Sequence, residues 1–169
     1  MNTYAKNRTS SGLKILYAVL MGLCTLAIGT LMGFVGNARE GYKGLNRPTF
    51  TPPDAIFPVV WSVLYFLMGI AFYLLVASTP ISKEARSARV ASIILFATQF
   101  VVNIVWPIIF FRADMYLFAF IWLAVLDALV ASLITVSFKV NKWCAIIHIV
   151  YLAWLLFATY LNLMILIYN

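Results

Sequence analysis

The chain is 169 residues long, 64% hydrophobic and 10% charged, against about 45–50% apolar and about 25% charged in an ordinary soluble domain. That apolar surplus is too large to hide inside a particle of this size, so the expected solvent is a bilayer and the expected organisation a single domain over residues 1–169. The net charge of +7 resides in short segments between apolar runs, where Lys and Arg orient a chain in a membrane, and nucleic-acid binding is set aside.

A helix needs about 20 apolar residues to cross the hydrocarbon core, and five runs supply them, over residues 15–36, 55–77, 90–111, 115–138 and 143–168. They are continuous and rich in Leu, Ile, Ala and Phe, not alternating ten-residue segments, so a β-barrel is rejected. The prediction is an all-α, polytopic membrane protein, a five-transmembrane-helix bundle.

The first run also invites a signal-peptide reading. Lys6, Arg8 and Lys14 form a basic head, and Gly36-Asn37-Ala38 loosely imitates a cleavage site. The run is too long for the apolar part of such a peptide, and Gly29 and Gly33 form a G-x-x-x-G pair that suits a retained, closely packed helix. Chance occurrence in a Gly-containing helix is the alternative for that pair.

Residues 37–54 form the long connection, stiffened by Pro48, Pro52 and Pro53. A loop of that kind is the natural lid over anything bound in the bundle. Lys6, Arg8, Lys14, Lys83, Arg86, Arg89, Lys139 and Lys142 lie on one side of the membrane, and Arg39, Lys43, Arg47 and Arg112 on the other. This asymmetry places the N-terminus in the cytoplasm, on the expectation of a bacterial cell membrane.

Polar groups inside such runs ask for a partner or a function. Gln99, Asn103, Trp106 and Phe110 share one helix face by their spacing, as do Tyr151, Trp154, Ala158 and Asn162, and Trp61, Tyr65, Met68 and Phe72. These stripes either converge on an interior pocket or are helix packing with the amides as interhelical glue. Trp143, beside Lys142, reads as an interfacial anchor, whereas Trp154 lies mid-run, where an interfacial belt does not explain it. Asp127 and His148 are a conceivable proton-relay pair, although Ala124, Ala128 and Ala131 around Asp127 also fit a close helix contact. Cys24 and Cys144 read as small hydrophobes, and a lone histidine argues against a metal site. No Walker loop, nucleophile elbow, HExxH or paired carboxylates are present, which removes the common hydrolytic and nucleotide-driven chemistries.

The stretch Tyr42-Lys43-Gly44-Leu45-Asn46-Arg47-Pro48-Thr49-Phe50-Thr51-Pro52-Pro53 resembles the W-Y-x-x-L-x-K-P-x-W-T-P-P run of the TspO/translocator protein family, the tryptophan-rich sensory proteins or peripheral benzodiazepine receptors. Phe57-Pro58-Val59-Val60-Trp61-Ser62-Val63-Leu64-Tyr65 continues like the family's F-x-x-V-W-x-x-L-Y, and Met68-Gly69-Ile70-Ala71 like its M-G-x-A. Residues 99–111 are similar to its third helix and 151–162 to its fifth.

The resemblance implies a compact five-helix bundle, often a homodimer, with a pocket under the first loop for porphyrins such as protoporphyrin IX and haem. In animal members it also implies cholesterol and synthetic ligands. The implied pocket residues are Trp61, Asn103, Trp106, Tyr151, Trp154, Ala158 and Leu161, beneath a lid carrying Tyr42, Arg47, Pro48, Pro52 and Pro53. The expected arrangement holds a planar tetrapyrrole between Trp61, Trp106 and Trp154, with Arg47 or Arg39 meeting its propionates; no metal and no required cofactor are expected. Some bacterial relatives promote light-dependent porphyrin breakdown, which would make Trp61 and Trp154 catalytic here. Gly41 and Phe50 stand where the family has loop tryptophans, and Arg47 where it has Lys. The sterol motif at the end of the fifth helix is missing, since no charged residue follows Tyr160. A porphyrin-degrading enzyme and a transporter of tetrapyrroles or lipids are the competing readings; no broken helix or inverted repeat supports the latter.

Overall fold

The computed structural model describes residues 11–169, so Lys6 and Arg8 of the basic head lie outside the described residues. Six α-helices follow in chain order: α1 (Ser11–Val35), α2 (Ala38–Gly41), α3 (Ile56–Ala77), α4 (Lys83–Pro107), α5 (Tyr116–Ser137) and α6 (Lys142–Tyr168). All except the four-residue α2 are long and apolar enough to cross a membrane. The five-helix bundle is thus present, with helix-rich spans and large apolar side chains such as Leu31, Ile94, Val125 and Leu156 turned outward. In a bilayer this exterior is an asset, because lipid tails are its solvent.

Both ends of α4 differ from expectation for a physical reason. α4 starts at Lys83, two turns before the apolar run at residue 90, because Ser82 caps it by accepting the Ala85 N–H at 3.1 Å. The early turns are polar, and Arg89 reaches back to the Leu75 carbonyl at 3.0 Å and to that of Val76. It thereby satisfies orphan carbonyls at the end of α3. At the other end, Pro107 lacks an N–H and crowds the carbonyl one turn earlier, so the helix widens into a π-helical turn over Ile108–Arg112. The Ala113 N–H bonds the Ile108 carbonyl five residues back, at 3.0 Å. That turn aims two consecutive aromatics, Phe110 and Phe111, inward.

Around the bundle the spanning helices run in the order α1, α3, α6, α5, α4, with α4 returning to α1. α4 and α6 therefore face one another across the interior. The core is filled by Met68, Leu75, Leu123, Leu126, Val130, Leu133 and Leu155, each almost fully buried.

The α1–α3 seam is set by small residues. A Cβ added at Gly69 would stand 2.3 Å from the Met21 carbonyl oxygen, and one at Gly29 would stand 2.4 Å from the Tyr65 ring. Between them the Thr25 hydroxyl donates across the seam to the Tyr65 carbonyl at 2.7 Å. Only half of the expected G-x-x-x-G pair is used in this way, since among the described residues nothing lies within 4 Å of a Cβ at Gly33. The packed spacing is Gly22, Thr25, Gly29, and Gly33 is released to a different surface.

A cavity under the first loop

The loop after α1 begins with Asn37 in the left-handed region at φ 58°, a conformation Asn tolerates better than most residues. This sharp turn folds α2 back over the end of the bundle. Gly41 then lies so close to the π-helical turn that a Cβ would be 2.9 Å from Phe111. The position that holds a tryptophan in the family pattern is thus a close backbone approach in this chain. Further on, Asn46 and Asn169 are bonded by two hydrogen bonds of 3.0 Å, one in each direction. Thr51 donates to the Pro48 carbonyl, and Pro48 is buried.

Beneath this loop lies a cavity of about 940 Å³, walled by every element except α5. Its size is at the upper end of the range of about 300–1,000 Å³ usual for small-molecule sites. Its sides are aromatic: Phe57 and Trp61 from α3, Trp106 from α4, and Phe110 and Phe111 from the π-helical turn, with Tyr42 above. Trp106 stacks on Phe110 with ring centres 4.9 Å apart, and Trp61 on Tyr65 at 5.5 Å. Ala158 and Leu161 of α6 line it as well, and Gly33 of α1 faces it.

The polar groups at its inner end are engaged with one another. Tyr65 O–H donates to Asn103 Oδ1 at 2.8 Å, and Asn103 Nδ2 donates to Tyr151 O–H at 2.6 Å. The Trp106 indole N–H donates to Asn162 Oδ1 at 3.3 Å, and Asn162 Nδ2 donates to the Tyr116 carbonyl at 3.0 Å. Among the described residues the Trp61 indole N–H has no hydrogen-bond partner.

The mouth is charged. Lys43 pairs with Glu40 at 2.9 Å, and this hydrogen bond and charge hold the Glu40 carboxyl below its ordinary range. Arg47 is committed twice, to Asp54 and to the Tyr42 ring, which its guanidinium covers at 4.7 Å. Half-burial pushes the Tyr42 hydroxyl up in pKa, against the opposing pull of Arg47. Arg39 also lines the cavity and forms no ion pair among the described residues.

Of the residues expected at the site, Trp61, Asn103, Trp106, Ala158, Leu161 and Tyr42 line the cavity. Tyr151 is completely buried behind Trp61, which it meets edge-on at 6.4 Å. Trp154 stands behind Phe57, with ring centres 5.9 Å apart, so the three-tryptophan clamp is not formed. Arg47, Pro48, Pro52 and Pro53 shape the loop without reaching the cavity lining. Spacing missed Phe57 and Phe111, and also Gly33 and Phe34 of α1. A proline-widened turn and the open half of the glycine pair placed them there. Asp127 and His148 do not meet: Asp127 accepts from the Thr159 hydroxyl at 2.9 Å, and His148 bonds the Cys144 carbonyl at 2.8 Å. Among the described residues no three His, Cys, Asp or Glu side chains gather as a metal site would need.

The TspO/MBR family model matches residues 20–168, which takes in most of α1, the loop and the other four spans. The chain belongs to the TspO/MBR family. It is 32% identical over 159 residues to the tryptophan-rich protein TspO of Archaeoglobus fulgidus, covering 93% of this chain and 99% of that one. It is also 31% identical to the tryptophan-rich sensory protein of Cereibacter sphaeroides, over 73% of each chain. The human translocator protein is 31% identical over 130 residues, 75% of this chain and 73% of that one. In this TspO/MBR family protein Trp61, Asn103 and Trp106 face the cavity, and Gly41 makes a close backbone contact with Phe111.

Proposed function

We propose that this membrane protein is a receptor for a planar tetrapyrrole of the protoporphyrin IX or haem type, held in the aromatic cavity under the first loop. The observation that carries the reading is the pairing of an aromatic-walled cavity with an uncommitted guanidinium, Arg39, at its mouth. Trp61 and Trp106 offer faces to a flat ligand, and Arg39 suits a carboxylate by forked hydrogen bonding. Arg47, already paired with Asp54, is the weaker candidate for that role. Burying about 300 Å² of apolar ligand surface at about 25 cal/mol per Å² contributes roughly 7 kcal/mol before entropy losses. Micromolar affinity is consistent with that figure.

The test is a titration of protoporphyrin IX into the detergent-solubilised protein, read by tryptophan quenching and the porphyrin absorption band in darkness. Saturable binding is expected, weakened about tenfold by Trp61→Leu, which removes an aromatic face, and by Arg39→Gln, which removes the cation. Linear quenching that ignores both substitutions would mean partitioning into micelles and overturn the reading. Repeating the experiment under light separates holding from turnover: a band that bleaches only while Trp61 is present would move the protein to the enzyme reading.

A further inference from the structure

A polar stripe runs through the interior beyond the cavity's inner end. It comprises Ser92, Gln99 and Asn103 on α4 and His148, Tyr151 and Asn162 on α6, all buried. Because these helices face each other across the bundle, their side chains meet in the middle, at distinct levels. Phe96 meets the His148 ring edge-on at 5.8 Å, and one level along Asn103 bonds Tyr151 at 2.6 Å. Gln99 is one helical turn from both Phe96 and Asn103, which puts it on the same face and between those two levels.

At this point the hydrogen bonding stops short. Gln99 is 0% exposed and, among the described residues, neither its Oε1 nor its Nε2 has a hydrogen-bond partner; His148 is 0% exposed and its Nε2 likewise has none. His148 Nδ1 lies 2.8 Å from the Cys144 carbonyl, which can only accept, so Nδ1 carries the proton and Nε2 is left as an acceptor. The Tyr151 hydroxyl accepts from Asn103, and its own hydrogen has no acceptor among the described residues. Two donors, Gln99 N–H and Tyr151 O–H, and two acceptors, Gln99 Oε1 and His148 Nε2, therefore remain unmet in one region. Native proteins meet such sets with ordered water, which bridges two to four polar groups too far apart to bond directly.

We infer that Gln99, His148 and the Tyr151 hydroxyl form a buried water site at the centre of the bundle. The water accepts from Gln99 Nε2 and the Tyr151 hydroxyl and donates to His148 Nε2. Its presence also sets a direction. With Tyr151 O–H committed to the water, Asn103 Nδ2 donates to Tyr151, and Tyr65 O–H donates to Asn103. Tyr65, on the cavity wall, then offers a ligand only its lone pair, so the inner end of the cavity favours a ligand N–H or O–H over a ligand carbonyl.

His148 is the single histidine of the chain, so nitrogen-15 magnetic resonance of untagged, ligand-free protein in lipid nanodiscs reads one imidazole without ambiguity. The expected result is a neutral ring protonated at Nδ1, an Nε2 shift typical of a hydrogen-bond acceptor, and magnetisation transfer from water to the ring. Gln99→Leu is expected to reduce that transfer severalfold and move the Nε2 shift toward its unbonded value. An unbonded Nε2 without water transfer in the unaltered protein would overturn the proposal, as would a direct contact between the Gln99 amide and Nε2. Since the unaltered protein alone decides between these outcomes, a Gln99→Leu chain that fails to fold leaves the test intact.

Discussion

Asn103 concentrates more consequence than any other single side chain. It joins Tyr65 and Tyr151 while facing the cavity, so Asn103→Leu takes the acceptor from the Tyr65 hydroxyl and the donor from the Tyr151 oxygen. Each stranded group costs about 1–3 kcal/mol, and thermal unfolding in detergent is expected to show a destabilisation of that order. By contrast, Tyr42→Phe removes a buried hydroxyl that makes no hydrogen bond among the described residues and keeps the ring beneath Arg47. It is expected to leave stability unchanged within about 0.5 kcal/mol. At the mouth, Glu40→Gln releases Lys43 from its ion pair. Affinity for a dicarboxylate porphyrin is expected to rise severalfold, with a control porphyrin lacking carboxylates unaffected.

Residue types and spacing made much of this site legible. Trp61, Asn103, Trp106 and Ala158 were placed on inward faces by periodicity, and all four line the cavity. Trp154 shares a face with Ala158 by the same rule yet stands behind Phe57, because a face some 100° wide contains both a wall and what supports it. Gln99 and His148 were visible as costly polar groups, but which of their atoms lack partners depends on contacts between helices that sequence spacing does not encode.

Among the elements, the α1–α3 seam is the tightest. Gly69→Ala pushes a methyl group into the Met21 carbonyl and the Gly22 backbone, neither of which can swing away as a side-chain tip does. A loss of about 1–3 kcal/mol is expected from such overpacking. Gly33→Ala meets nothing among the described residues and is expected to be neutral or slightly stabilising, since Ala restricts the unfolded chain; thermal melts of the two variants side by side check the contrast. The five long helices were readable because about 20 apolar residues in a row have few other fates in a protein. The first two turns of α4 and the π-helical turn were not, because both depend on local backbone bonding: a serine cap in one case and a missing N–H in the other.

For the whole molecule, hydropathy determines that the chain spans a membrane, and the Lys/Arg asymmetry determines the expected direction. Single cysteines introduced in a Cys24→Ser background test it, with Cys144 fully buried and left in place. A membrane-impermeant maleimide is expected to label Ser87→Cys from the cytoplasmic face and Thr49→Cys only from the opposite one. The reverse pattern would invert the orientation and put the cavity mouth in the cytoplasm.

The absence of α5 from the cavity wall divides the labour within the bundle. α5 packs against α4 and α6 and fills the core between them with Leu123, Leu126, Val130 and Leu133, while its outer face, at Val125 for example, is exposed. That face is a neutral handle: a fluorophore or surface tether attached there would hold the protein in place and leave ligand exchange under the loop undisturbed.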